Sequence, residues 1–133
     1  MYLRYLAKYY DETLQQDKLG FFYAADYVRD NCSLSTSDRA SLETSIKWFN
    51  QNLPIPEYYQ SEKNRQDAKS ATSWFKDSAT QFINRMNQIS IILEKHNVDI
   101  KRINSKKLLG QKIYEDNFQV TVNPYREHIK YVK

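Results

Sequence analysis

The sequence contains a single cysteine, Cys32, and only two glycines in 133 residues. One cysteine cannot form an intramolecular disulfide or a multi-cysteine zinc site, so a reducing compartment is predicted. Neither G-x-G-x-x-G nor G-x-x-x-x-G-K-[ST] occurs, which excludes nucleotide binding through loops of those types. We predict no cofactor and no metal. No apolar run approaches the ~20 residues of a membrane helix, and no secretory signal follows Met1, so we predict a cytoplasmic location without membrane contact.

Aromatic residues are abundant: 14% of the chain, including eleven tyrosines. This content is too high for a disordered segment, and the length is that of one folded domain. We therefore predict a single domain over residues 1–133. Within it, residues 57–73 are expected to form a long polar surface loop, because the stretch 60–73 has no apolar side chain larger than alanine.

The apolar spacing predicts three helices, over about 20–30, from Ser35 to Leu53, and over 79–96. Residues 11–18 are polar and predicted to form a turn. Strands are predicted where apolar and polar residues alternate, namely at 2–10, 73–76, 98–101, 113–115 and 118–122. The pair Asp116-Asn117 tolerates the positive φ of a tight hairpin. The expected fold class is α+β, a small antiparallel sheet with about three helices packed on one face.

The net charge of +4 is unevenly distributed along the chain. Residues 1–66 hold eight Lys and Arg against nine Asp and Glu, whereas residues 67–133 hold twelve against seven. A basic loop is predicted within 101–112, and the residues that could attract nucleic acid there are Lys101, Arg102, Lys106, Lys107 and Lys112. The alternative is a solvated basic surface, which we favour because charge pattern alone is weakly specific.

A set of motifs resembles a family of small uncharacterised bacterial proteins. The matching residues are Trp48-Phe49, Leu53, Pro56, Trp74-Phe75-Lys76, Arg85-Met86, Leu93-Glu94, His96, Tyr114-Glu115-Asp116, Gln119-Val120 and Pro124. The chain has Leu109-Gly110 where the family pattern has Pro-Gly, and its loop over 57–72 is longer. The resemblance implies a bacterial or phage origin and a compact fold, and it transfers no catalytic role.

Three arrangements could in principle support catalysis. Glu115 and Asp116 are adjacent carboxylates, but neighbouring strand residues face opposite sides, so a polar turn built by Asp116 is the favoured alternative. Asp99 and Lys101 have the acid-x-Lys spacing of some metal-dependent nucleases, but no upstream strand acid completes that site. His96 and His128 are the only histidines, and neither lies near a candidate nucleophile. Cys32 is interpreted as a small apolar filler.

The absence of catalytic motifs, the tyrosine content and the small size favour a non-catalytic binding protein with a macromolecular partner, protein rather than nucleic acid. An inhibitor or accessory factor in bacterial–phage conflict is one setting that fits. The alternative is an enzyme or a nucleic-acid- or nucleotide-binding domain with a site near Trp74, Arg85 and Glu115. The candidate binding residues are Trp74, Lys76, Arg85, Tyr114, Glu115, Gln119, Lys106 and Lys107. The oligomeric state stays open.

Overall fold

The computed structural model of the chain describes residues 1–54 and 71–124. Three helices occur in these residues: α1 (Phe21–Asn31), α2 (Thr36–Asn52) and α3 (Thr80–Glu94). The strands are β1 (Tyr2–Asp11), β2 (Gln16–Leu19), β3 (Thr72–Lys76), β4 (Asp99–Ser105), β5 (Gly110–Glu115) and β6 (Gln119–Pro124). They pair antiparallel in the order β2-β1-β3-β6-β5, and β4 pairs with β1. The α+β class predicted from the sequence is confirmed.

The contacts divide the chain into two compact units. Unit one comprises the described parts of Met1–Arg4, Leu53–Thr80 and Ile103–Lys133, and unit two comprises Tyr5–Asn52 and Gln81–Arg102. The strands β1 and β4 contribute residues to both. The single domain expected from chain length stays a prediction.

Unit one is built around Trp74, whose side chain is only 1% exposed. Trp74 lies opposite Val120 in the register of β3 and β6, and Val120 and Val122 complete the buried cluster. Side chains from the surrounding strands and turn pack against this cluster: Tyr2, Ile103, Leu108 and Leu109. The hydroxyls of Ser73 and Thr121 lie 2.7 Å apart across the same two strands. The Trp74–Val120 pair and the Ser73–Thr121 hydroxyl contact therefore hold β6 in its register with β3.

Unit two has a core of helix faces at the spacing that the sequence predicts. Phe21, Ala24, Ala25 and Val28 are buried on α1, as are Leu42, Ile46 and Phe49 on α2. On α3 the buried apolar residues are Phe82, Met86, Ile89, Ile92 and Leu93. Ile83 is only half-buried, although the sequence places it on the core face.

Aromatic rings connect the elements of unit two. The Tyr5 ring of β1 contacts Phe21 of α1 with ring centroids 5.8 Å apart. Phe22 of α1 meets Phe49 of α2 at 5.1 Å, and Phe49 lies 6.1 Å from Phe82 of α3. These edge-on and tilted contacts are the geometries that aromatic pairs prefer, and they anchor the three helices to one another.

Local signals at the helix ends agree with the sequence. The Ser35 hydroxyl accepts a hydrogen bond from the Asp38 backbone N–H at 3.0 Å, as expected of an N-cap. Asn97, three residues after the end of α3, adopts a φ of 65°, the left-handed conformation that often terminates a helix. Gly20 begins α1 with a φ of 132°, and a Cβ there would lie 2.7 Å from the Tyr23 ring.

Four local expectations are wrong. Residues 16–19 form β2 instead of continuing the predicted turn, because Lys8–Asp11 of β1 supplies their pairing partners. The helix predicted to reach residue 96 ends at Glu94. Strand β4 continues to Ser105, four residues beyond its predicted end. Neither Asp116 nor Asn117 has a positive φ, since the turn there is closed by a side chain.

The predicted polar loop 57–73 lies largely outside the described residues. Its last two residues, Thr72 and Ser73, already belong to β3. His128 also lies outside the described residues.

Candidate functional site

The turn between β5 and β6 in unit one is organised by the carboxylate of Asp116. Its Oδ1 accepts hydrogen bonds from the backbone N–H groups of Phe118 and Gln119, at 2.8 and 2.9 Å. Its Oδ2 accepts the Tyr114 hydroxyl at 2.7 Å and the Gln119 Nε2 at 3.1 Å. Burial alone would raise the pKa of Asp116, but these four donors keep it below its ordinary value. The polar-turn interpretation of Asp116 is confirmed.

Glu115 is held by two lysines, Lys76 of β3 and Lys112 of β5. Lys76 Nζ lies 2.6 Å from Glu115 Oε2, and Lys112 Nζ lies 2.9 Å from Glu115 Oε1. Hydrogen bonding by both ammonium groups lowers the pKa of Glu115 to about 2. A carboxylate with that pKa stays ionised at neutral pH, so it neither donates a proton nor accepts one readily. The two adjacent acids thus have separate partners and do not form a catalytic pair.

Two further candidate residues of unit one are buried. Trp74 belongs to the core, and its indole N–H has no hydrogen-bond partner in the described part of the chain. Gln119 is 4% exposed and donates from Nε2 to the Pro54 carbonyl at 2.8 Å. Tyr114 and Gln119 therefore meet at Asp116, whereas Glu115 pairs separately with Lys76 and Lys112.

The predicted basic loop is mostly strand. Lys101 and Arg102 belong to β4 and Lys112 belongs to β5, so only Lys106 and Lys107 lie in the connecting turn. Lys112 is paired with Glu115, as described above. Arg102 lies 3.7 Å from Glu94, with its guanidinium 5.7 Å from the centre of the Tyr5 ring. Part of the positive charge is thus compensated locally, whereas Lys106 and Lys107 are exposed.

Arg85 occupies a different environment, in unit two. Its guanidinium carbon lies 4.6 Å from the centre of the Trp48 ring, a cation–π contact between α3 and α2. Trp48 also contacts a second aromatic ring, because the centroids of Trp48 and Phe82 are 4.8 Å apart. Trp48 and Arg85 are both half-buried, so the stacked pair is held in place yet reaches the surface.

A groove of about 390 Å³ surrounds this pair, and its other lining residues are Gln81, Asn84 and Gln88. These three amides are exposed and recur with Arg85 at helical spacing along α3. We call this set of five residues the Trp48–Arg85 groove. The sequence identifies Arg85 as a candidate but misses the amides, which periodicity alone assigns to an ordinary solvated face. It misses Trp48 as well, because the contact joins helices distant in the chain.

The remaining candidates stand apart from the groove. Asp99 and Lys101 are both exposed on β4. Burial and the charge of Glu12 raise the pKa of the Cys32 thiol. His96 is half-buried and lines a separate cavity described below. Within residues 1–54 and 71–124, no group of three His, Cys, Asp or Glu side chains is placed to hold a metal ion.

The described helices include none with the length and apolar character needed to cross a membrane. Comparison with protein-family models, with curated proteins and with solved structures gives no match for this chain. The resemblance to a bacterial family drawn from the sequence motifs stays a prediction.

Proposed function

We propose that this chain is a non-catalytic binding protein that engages a protein partner through the Trp48–Arg85 groove, and that the partner contributes an acidic segment. The observation that carries the proposal is the stacked Arg85 guanidinium. Among the described residues, no Asp or Glu lies within ion-pair distance of it. This contrasts with Arg29, Arg39 and Arg102, each of which has a carboxylate neighbour.

Stacking on Trp48 supports recognition of a carboxylate. The cation–π contact does not occupy the N–H donors of the guanidinium, and those donors match the two oxygens of a carboxylate. The contact with Trp48 also restricts the rotamers of Arg85, so less side-chain entropy is lost on binding. The pair is therefore organised for a bidentate interaction with Asp or Glu.

The three amide side chains of the groove favour a peptide as its ligand over a free ion. Gln81, Asn84 and Gln88 each offer both hydrogen-bond donors and acceptors, which are the groups that complement a peptide backbone. They carry no charge that would compete with Arg85 for the partner's carboxylate. Arg and Trp are also the residue types that contribute most binding energy in protein interfaces.

The ion pairs of Glu115 with Lys76 and Lys112 in unit one favour a binding role over acid–base catalysis. The pKa of Glu115, about 2, suits a permanently charged structural group. The bacterial–phage setting inferred from the sequence is retained as part of the proposal, with an inhibitor or accessory factor as the expected role.

Affinity purification from the native host tests the proposal with three forms of the full chain: the unmodified protein, Arg85→Gln and Lys47→Gln. Lys47 is exposed on α2 outside the groove, so its replacement makes the same charge change elsewhere. Truncating a central Arg of an interface costs about 2 kcal/mol or more, or roughly 30-fold in affinity. We expect a specific partner, identified by mass spectrometry, to be retained by Lys47→Gln and lost by Arg85→Gln. Equal retention by both variants would contradict the proposal.

A further inference from the structure

A second cavity in unit two, of about 360 Å³, is not used by the proposed function. It is lined by Tyr9, Tyr10, Glu12, Tyr27, Asn31, Cys32, Lys95, His96, Asn97 and Val98. We propose that this cavity, the tyrosine cavity, binds an organic cation with a quaternary or similarly substituted ammonium group. Its volume lies within the range of small-ligand sites.

Three of the lining residues are tyrosines. The Tyr9 and Tyr27 rings lie 5.1 Å apart, and the exposed Tyr10 follows Tyr9 in β1. The negative quadrupole of an aromatic ring attracts a cation, and groups of aromatic rings are the usual receptors for alkylated ammonium groups. Alkylated ammonium is favoured over a metal ion because the rings offer a polarisable surface, and within residues 1–54 and 71–124 no three His, Cys, Asp or Glu side chains are placed to hold a metal.

The charges near the rings favour a cation as well. Glu12 is exposed at the cavity, and neither Glu12 nor Asp11 has an ion-pair partner within the described chain. The charges of Asp11 and Asp26, together with burial as the largest cause, raise the pKa of Tyr9. Lys95, the lysine that lines the cavity among the described residues, is bound to Asp38 at 3.1 Å. Asp26 in turn pairs with Arg29 at 3.4 Å, so the uncompensated charges are those of Glu12 and Asp11.

Neutral groups complete the site. The raised pKa of Cys32 keeps its thiol protonated at neutral pH, and the raised pKa of Tyr9 does the same for its phenol. The Tyr27 hydroxyl accepts a hydrogen bond from the Glu12 backbone N–H at 3.2 Å, which keeps the acid next to the rings.

Calorimetric titration with choline tests the proposal, with its neutral isostere 3,3-dimethylbutan-1-ol as the matched probe. We expect choline to bind and the isostere to bind at least tenfold more weakly. Glu12→Gln should weaken choline binding by about fivefold, the effect of one unit charge some 4 Å away in water. The control Glu43→Gln, an exposed acid of α2 outside the cavity, should have no effect. Equal binding of choline and the isostere, or no binding of choline at tens of millimolar, would overturn the proposal.

Substitutions at Tyr27 distinguish the contribution of its aromatic ring to choline affinity from that of its hydroxyl. Tyr27→Phe keeps the aromatic face and removes only the hydrogen bond to Glu12, so it should lose less choline affinity than Tyr27→Leu, which should lose between about twofold and thirtyfold. Equal affinities of the two variants would refute the role of the ring. A trimethyllysine peptide is titrated as well, with the unmodified lysine peptide as its control. Tighter binding of the trimethyllysine peptide than of choline would indicate an ammonium group carried by a protein. Tighter binding of choline would indicate a free small molecule.

Cys32 provides an independent readout, because it is the only thiol in the chain. Bound choline should slow modification of Cys32 by a cationic methanethiosulfonate that carries a trimethylammonium group. No protection at saturating choline would place the ligand elsewhere and contradict the assignment.

Discussion

Two isoleucines of α3 provide an internal comparison of burial. Ile89 is 0% exposed in the core of unit two, whereas Ile91, on the same helix, is 59% exposed. Replacing Ile89 with Ala removes three buried carbon groups worth about 0.8 kcal/mol each, and the cavity left behind adds to the loss. Ala gains less than about 0.7 kcal/mol from its higher helix propensity. We therefore expect Ile89→Ala to lower the free energy of unfolding by about 2–5 kcal/mol.

The control Ile91→Ala makes the same chemical change with little loss of packing. Its free energy of unfolding should stay within about 0.5 kcal/mol of the unmodified chain. Urea unfolding followed by circular dichroism measures both. With a slope of about 1.5 kcal/mol per molar, a 3 kcal/mol loss moves the midpoint down by about 2 M. A loss below about 0.5 kcal/mol for Ile89→Ala, or equal losses at the two positions, would refute the assignment of this helix face.

Three further predictions concern unit one. Because the pKa of Glu115 is about 2, below its usual 4.5, its lysine pairs stabilise the fold above about pH 5 and lose that effect as pH falls toward 2. The stability difference between wild type and Glu115→Gln, followed by chemical unfolding against pH, should shrink over that window; a constant difference would be inconsistent with the pairing. Asp116→Ala removes the acceptor of four hydrogen bonds and should cost about 1.5–3 kcal/mol by the same assay, whereas a change below about 0.5 kcal/mol would argue against the turn geometry. The double substitution Lys106→Ala and Lys107→Ala should change no nucleic-acid affinity in gel-shift titrations at two salt concentrations, because we expect only the weak background of a basic protein. Micromolar binding at physiological salt that the double substitution abolishes would favour a nucleic-acid partner.

The sequence predicts those features that depend on local spacing. The buried face of α1, from Phe21 to Val28, follows directly from its helical periodicity. The cap at Ser35 and the left-handed Asn97 are likewise local properties of their residue types. Strand β2 was not predictable in the same way, because the polar segment Gln16–Leu19 has no strand pattern and pairs only because β1 lies beside it.

The candidate site depends on contacts between distant segments. Lys76 and Glu115 belong to different strands, and their pairing changes the chemistry expected of the acid. In the sequence, the charge of Arg85 does not distinguish it from the other basic residues of the chain. The structure distinguishes it, because Trp48 of α2 lies against its guanidinium. The sequence therefore shows which charged residues are present. Tertiary packing decides which of them are paired within the protein and which can bind a partner.

Site-specific photo-crosslinking in the native host tests most directly whether the Trp48–Arg85 groove contacts a protein partner. A photoreactive phenylalanine derivative replaces Gln88 in the groove or, as the control, exposed Ser41 of α2 outside the lining. The account predicts one discrete crosslinked protein from position 88, none from position 41, and loss of the crosslink when Arg85→Gln is added. Absence of a crosslink at position 88, or its persistence without Arg85, would contradict the account.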